Sequence, residues 1–224
     1  MTNPQQKKDG KIRDIDIRLA FMKRNIKFFE QDGMEFCNEF GINSTNVVDL
    51  AGFDFKKNIF YGFEIKSEQD NTDRLYKQLN SYITFFNFVY VITHEKHFKD
   101  VMNIISSSKQ FDKVGVMVVD SNMNFREVRR ARKYDQVYFM FINNLDLEEL
   151  RILAAEHNLP LEGNKSQMLG VLRRHVPLNE VFTGLKNKIR KYREWKCPCC
   201  DSRIYYNRRG NHVCYKCGYV SPSS

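Results

Sequence analysis

Apolar residues recur at helical spacing from Asp14 to Gln31, with Ile17, Phe21 and Phe28 among them and Asp14 or Asp16 available as a cap. That pattern predicts an amphipathic helix. Met34–Phe40 reads as a short helix stopped by Gly41. Two β-rich runs follow, 47–53 and 59–67, separated by the turn Asp54-Phe55-Lys56-Lys57-Asn58. Together they predict a hairpin. Asp70-Asn71-Thr72-Asp73 supplies cap candidates for a helix through about Phe86, whose core stripe is Leu75, Leu79, Tyr82, Ile83 and Phe86. Phe88–Thr93 is a continuous apolar run, the mark of a strand buried on both faces. His94–Ser107 is helical, Val114–Val119 is a strand, and Asn124–Arg130 is its hairpin partner across Asp120-Ser121-Asn122. The pattern over residues 1–142 is that of one mixed α/β domain of ordinary size.

Beyond residue 142 the pattern changes. Asp146–Asn158 is helical, with Leu147, Leu150, Leu153 and Ala154 on one face. Leu159–Lys165 interrupts it, and Ser166–His175 resumes with Met168, Leu169 and Leu172 inward. Residues 179–196 form a basic linker or helix, and 197–224 a cysteine-rich end. The net charge of +9 is uneven: residues 1–142 hold 22 basic and 19 acidic groups, 143–176 hold 4 and 5, and 177–224 hold 10 and 3. An excess concentrated in the last fifth points to a polyanion partner, or to a solubilising tail. With 18 Phe and 11 Tyr the core is expected to be aromatic. Met1–Gly10 is polar and lacks the apolar segment of a secretory leader. The longest apolar stretch, Tyr82–Thr93, is too short to cross a bilayer.

The hairpin carries the candidate chemistry. In a strand, alternate residues share a face, so Glu64 and Lys66 point the same way, and Asp49 can lie beside them from the partner strand. Two carboxylates and an ammonium on one sheet face are costly unless something binds there. A hard divalent cation with a phosphate would account for all three, while an exposed structural Glu–Lys pair would account for the two alone. Gln78 and Tyr82 are four apart on the following helix and share its sheet-facing side.

Asp49, then Glu64-x-Lys66, then Gln78-x-x-x-Tyr82, with Glu39 on a preceding helix and Glu35 competing for that role, resembles the PD-(D/E)XK nuclease superfamily, in particular its branch with a RecB-like QxxxY motif. The likeness covers roughly residues 12–135. It implies a restriction-endonuclease-like mixed sheet flanked by helices. It also implies that Asp49 and Glu64 ligate Mg²⁺ (or Mn²⁺) with the Ile65 carbonyl, that Lys66 positions or helps activate the attacking water, and that Glu39, Gln78 and Tyr82 support the site. Val48 stands where many members have Pro.

Two smaller modules follow. Leu159-Pro160, then Gly163-Asn164-Lys165 and Met168-Leu169, resembles a SAP-type helix–loop–helix over 143–178, which implies DNA contacts at Lys165, Arg173 and Arg174. The same segment also suits a helical hairpin packed on the larger domain, and its net charge of −1 favours no polyanion. Lys188, Arg190, Lys191 and Arg193, interleaved with Tyr192 and Trp195, and Arg208 and Arg209 beyond them, suit phosphate contact with base stacking. Cys197, Cys200, Cys214 and Cys217 have the C-x2-C-x13-C-x2-C spacing of a zinc ribbon. Four thiolates leave no open position, so such a Zn²⁺ would be structural. Cys199 is spare, His212 is a competing ligand, and His94 and His97 read as surface residues. Cysteines arranged for metal rather than for disulfides suit a reducing cytoplasm.

The expectation is therefore a metal-dependent DNA endonuclease acting on duplex or branched DNA. Cutting both strands would call for a homodimer. The alternative is a catalytically inactive DNA-binding or adaptor protein retaining the nuclease fold, and a further one makes the ribbon a docking module for a protein partner. No membrane partner is expected.

Overall fold

The computed structural model describes residues 11–32, 34–42, 46–135, 142, 145, 147–160, 162–177, 180–181, 197–200, 205–208, 211–214 and 217–221, without the side chains of 26–32, 205–208, 211 and 212. Helix α1 (Asp14–Asp32) precedes three strands, β1 (Glu35–Gly41), β2 (Val47–Asp54) and β3 (Ile59–Lys66). Helix α2 (Leu75–Tyr82), β4 (Phe88–His94), a 3-10 turn (Glu95–His97), α3 (Phe98–Ser106), β5 (Gly115–Val119) and β6 (Phe125–Arg129) follow. The strands form one six-stranded mixed sheet in sequence order, β1-β2-β3-β4-β5-β6. Both β3–β4 and β4–β5 are parallel and the other neighbours antiparallel. The parallel pairs are the central ones, which is why β4 reads as an unbroken apolar run.

Each face of the sheet has its own apolar cluster. Ile17, Phe21 and Met22 of α1 cover Phe36, Leu50, Phe63, Ile65 and Ile92. Leu75, Leu79 and Tyr82 of α2 and Val101 and Ile105 of α3 cover Ala51, Phe53, Phe60, Val89, Val91 and Val116 on the other side. Close approach decides one glycine. A Cβ on Gly62 would lie 2.4 Å from Cδ2 of Phe86, a fully buried ring. Gly62→Ala is expected to lower stability by roughly 1–3 kcal/mol through overpacking, read as a lower denaturation midpoint at unchanged slope.

The predicted helix at Met34–Phe40 is instead strand β1, paired with β2 from Glu35↔Phe53 to Gly41↔Val47. Its apolar residues Met34, Phe36 and Phe40 are spaced for a strand, and an available partner edge outweighs the weak local helical preference. The alternation breaks once. Phe36 and Leu50 belong to the α1 side, yet Phe40 and its partner Val48 join the α2 side. The switch occurs at Glu39, whose φ of 52° is unusual for a residue with a side chain. Between the pairs Asn38↔Leu50 and Phe40↔Val48 the ladder skips Glu39 and Asp49.

Helices α4 (Leu147–Glu156) and α5 (Lys165–His175) form the expected pair, and α5 opens with a capping box between Asn164 and Gln167. Leu150, Leu153, Ala154, Met168 and Leu172 belong to the same buried cluster as the α2 side of the sheet. The helical hairpin thus packs on the larger domain. At the C-terminal end β7 (Tyr205–Arg208) and β8 (Asn211–Cys214) pair antiparallel, and Val213 is buried in the α1-side cluster. The expected basic linker 179–196, with Lys188, Arg190, Lys191 and Arg193, and Arg209, lies outside the described residues apart from 180–181. Of Arg208 only the backbone is described. Among the described residues no helix is long and apolar enough to cross a membrane.

Candidate active site

The register of β2 and β3 runs from Asp54↔Ile59 to Leu50↔Phe63 and goes no further. Asp49 is the next residue, and its side chain replaces the missing ladder bond: the amide of Ile65 donates to Asp49 Oδ2 at 2.7 Å. Glu64 and Lys66 flank that amide and share the α2 face of β3, as alternation requires. Lys66 Nζ donates to Glu64 Oε1 at 2.7 Å and to Gln78 Oε1 at 3.2 Å. The Tyr82 hydroxyl lies 2.6 Å from Glu64 Oε2 and 2.8 Å from the Val47 carbonyl, and its one proton serves either acceptor. The glutamate is 1% exposed and the lysine 6%. The structure therefore brings together Asp49, Glu64, Ile65, Lys66, Gln78 and Tyr82.

These groups sit in strained electrostatics. Burial, and then the neighbouring Glu64 carboxylate, push Asp49 up to about 7, against the opposing pull of the Ile65 amide, Arg18 and Lys66. Burial and Glu64 also raise Tyr82 far above its ordinary range, so it remains a protonated donor. Asp49 would lose its proton near 3.8 in the unfolded chain and near 7 in the folded one, so the folded state holds an extra proton between those values. Its contribution to stability is complete below about pH 4 and gone by about pH 7. Without divalent cations the melting temperature should fall as pH rises through that window. Asp49→Asn should flatten the fall; an equal slope in the variant would show that another group causes it.

Glu39 departs from expectation. It lies on strand β1 rather than on a helix, and its side chain is 73% exposed, with Oε1 4.0 Å from Arg18 Nη1. The residue that the sequence reading missed is Arg18. It is 3% exposed, donates to Asp14 Oδ2 at 2.8 Å and to Asn38 Oδ1 at 3.4 Å, and its positive charge acts on Asp49. Its Nε has no partner among the described residues. An arginine at helical spacing with Phe21 and Met22 on the apolar stripe of α1 was the signal available in the sequence.

His94 and His97 were expected at the surface, but both are buried, and their Nε2 atoms have no partner among the described residues. Among the described residues no third metal-ligating side chain gathers with them there. Lys165, Arg173 and Arg174 are exposed at opposite ends of α5.

The sulfurs of Cys197, Cys200, Cys214 and Cys217 all lie within 4.8 Å of one another, an arrangement compatible with a zinc site. Burial raises the Cys197 thiol, but the amides of Cys199 and Cys200 and the thiols of Cys217 and Cys200 bring it down to about 7. Cys199 is exposed and stands outside the group, as its spacing indicated.

Comparison with known proteins adds the following. A protein of unknown function from Silicibacter pomeroyi superposes with a TM-score of 0.41 at 12% identity, over 85% of this chain and 94% of that one. No curated protein matches the sequence. The family described as bacteriophage P4 protein cII matches residues 17–194, a span that takes in nearly all of the sheet domain and the helical pair and ends before Cys197. On that match across most of its length, the chain belongs to the bacteriophage P4 protein cII family.

Proposed function

We propose that this protein is a magnesium-dependent DNA endonuclease that hydrolyses phosphodiester bonds, with a restriction-endonuclease-like core over 1–142. The observation that carries the reading is the gathering of Asp49, Glu64 and Lys66 where β2 and β3 part. The element order supports it as well: a helix, three antiparallel strands, a helix, and a fourth strand parallel to the third.

The donor set fits a hard cation. The Glu64 carboxylate raises the proton affinity of Asp49, and Mg²⁺ is commonly held by one or two carboxylates with waters and phosphate oxygens. Asp49 Oδ1 has no hydrogen bond among the described residues, and each Glu64 oxygen keeps a lone pair beside its present donor. Asp49 and Glu64, with the Ile65 carbonyl, would hold Mg²⁺ or Mn²⁺. When bound, such an ion polarises a phosphoryl oxygen and lowers the pKa of a coordinated water. Lys66 supplies a compact positive charge beside the phosphate and helps place the attacking water. Gln78 holds the Lys66 ammonium, and Tyr82 orients the Glu64 carboxylate. Hydrolysis of this kind depends on positioning and charge stabilisation more than on covalent chemistry.

The appendages complete the reading. Cys197, Cys200, Cys214 and Cys217 would hold a structural Zn²⁺, since four sulfur donors close the tetrahedron. Lys165, Arg173 and Arg174, with the basic segment before and within the ribbon, would contact the DNA backbone.

The test is incubation with supercoiled, linear and branched DNA, with and without Mg²⁺. Nicked or shortened products only with the metal are the expected result. Intact DNA of all three forms, in Mg²⁺ and in Mn²⁺, would overturn the enzyme and favour the inactive DNA-binding adaptor.

A further inference from the structure

The register carries Lys66 across the sheet to a residue that neither the motifs nor the site involve. Lys66 pairs with Thr93, Thr93 with Val118, and Val118 with Arg126. Residues opposite one another in a ladder share a face, so Arg126 stands on the same face as Glu64 and Lys66, at the free edge of the sheet. Its neighbours confirm the direction. Phe125 packs against Phe21 on the α1 side with ring centroids 6.0 Å apart, which turns Arg126 the other way. Three strand spacings of about 4.8 Å separate Lys66 from Arg126, or roughly 14 Å. That is about four nucleotides at the 3.4 Å rise of a duplex strand.

Arg126 sits in a basic segment, Arg126-Glu127-Val128-Arg129-Arg130-Ala131-Arg132-Lys133, but the cations in it are not equivalent. Arg129 and Arg132 both donate to the Asp112 carbonyl, and Arg132 also to the Asp112 carboxylate at 2.7 Å. Those two hold the loop after α3. Arg126 is exposed and has no hydrogen-bond or ion-pair partner among the described residues. Between it and Lys66 the row crosses β4 at Thr93, one residue before that strand ends, and α3 begins just beyond, after the Glu95–His97 turn. Lys99, in the first turn of α3, is exposed there and likewise has no such partner among the described residues. Lys96, just before it, ties the turn down through the Glu68 carbonyl at 2.9 Å. Glu95 and Asp100 share this end, so the row is not uniformly positive.

We infer that Arg126 and Lys99 form a phosphate track for duplex DNA leading away from the candidate active site, about four nucleotides long. The inference rests on the nuclease reading for the position of the scissile bond. Its physical basis is two exposed, unneutralised cations set at one end of the sheet, one of them in register with Lys66. The competing role for an edge-strand arginine is to discourage pairing with another sheet. That role involves no phosphate and predicts no change in the salt dependence of DNA binding.

The experiment measures affinity for a 30-base-pair duplex by fluorescence anisotropy, in magnesium-free buffer, from 50 to 200 mM KCl. Each phosphate contact contributes about 0.9 to the slope of log affinity against log salt, a factor of about 3.5 over that range. Arg126→Ala and Lys99→Ala should each reduce the slope by about 0.9 and the double variant by about 1.8. Arg126→Lys, which keeps the charge, and Arg132→Ala, which removes a loop contact, should leave it as in the unaltered protein. An unchanged slope in either alanine variant, or no binding by the unaltered protein, overturns the track. Cleavage is scored separately. A protein that cuts DNA but shows no slope change loses the track alone. One that never cuts, yet shows the slope change, loses the nuclease reading and keeps the DNA surface.

Discussion

Lys66→Ala is expected to reduce magnesium-dependent DNA cleavage by at least about 1,000-fold while leaving DNA affinity in metal-free buffer within about twofold. Among the described residues the ammonium is the one positive group in hydrogen-bond contact with Glu64, and preorganised charge of this kind commonly contributes factors of 10²–10³ or more to catalysis. The substitution also removes one partner of a buried ion pair, and breaking such a pair costs about 3–5 kcal/mol. The assay therefore needs a melting curve beside it. Lys66→Met, which keeps the apolar stem, should also be inactive and should melt closer to the unaltered protein. Cleavage that persists in either folded variant would remove Lys66 from the mechanism, and with it the proposed assignment of the active site.

Removal of the metal expected at the cysteine cluster should have the second-largest effect. Structural zinc in small domains is worth roughly 10–16 kcal/mol, and a segment of this size cannot bury enough apolar surface to hold itself together. Chelation, or Cys214→Ser, should release one zinc per chain and unfold the β7–β8 hairpin. The consequence should also reach the sheet domain. Val213, next to Cys214, lies in the cluster between α1 and the sheet. Exposing that side chain costs about 1.5–3 kcal/mol, which lowers the melting temperature of the sheet domain by roughly 3–12 °C. Zinc release by a colorimetric chelator and a parallel thermal melt measure both parts. A chain that contains no zinc, or a sheet domain whose melting point does not move, would contradict the account.

The difference between what was legible and what was not follows from the range of the interactions involved. The hairpin of β2 and β3, the buried run of β4 and the hairpin of β5 and β6 were legible because period-two patterning and turn residues are local signals. The pairing of Glu64 with Lys66 was legible for the same reason. Strand β1 was misread: seven residues with three apolar positions fit a short helix or an edge strand equally well, and only the exposed edge of β2 chooses. Arg18 was not recognised because its role depends on α1 lying over the end of β1, some twenty residues away in sequence.

The sequence by itself determined the alternation that places Glu64 and Lys66 on one face, the spacing that gathers four cysteines, and the helical stripes of α2, α4 and α5. Each is a consequence of backbone geometry acting over a few residues. Only the tertiary structure decided that the β2–β3 ladder stops at Leu50, so that Asp49 takes the Ile65 amide and stands beside Glu64. It alone also decided that the helical pair and Val213 share the cores of the sheet domain. Both depend on which distant surfaces find one another, and burial rewards any sufficiently apolar contact without marking its partner in the local pattern.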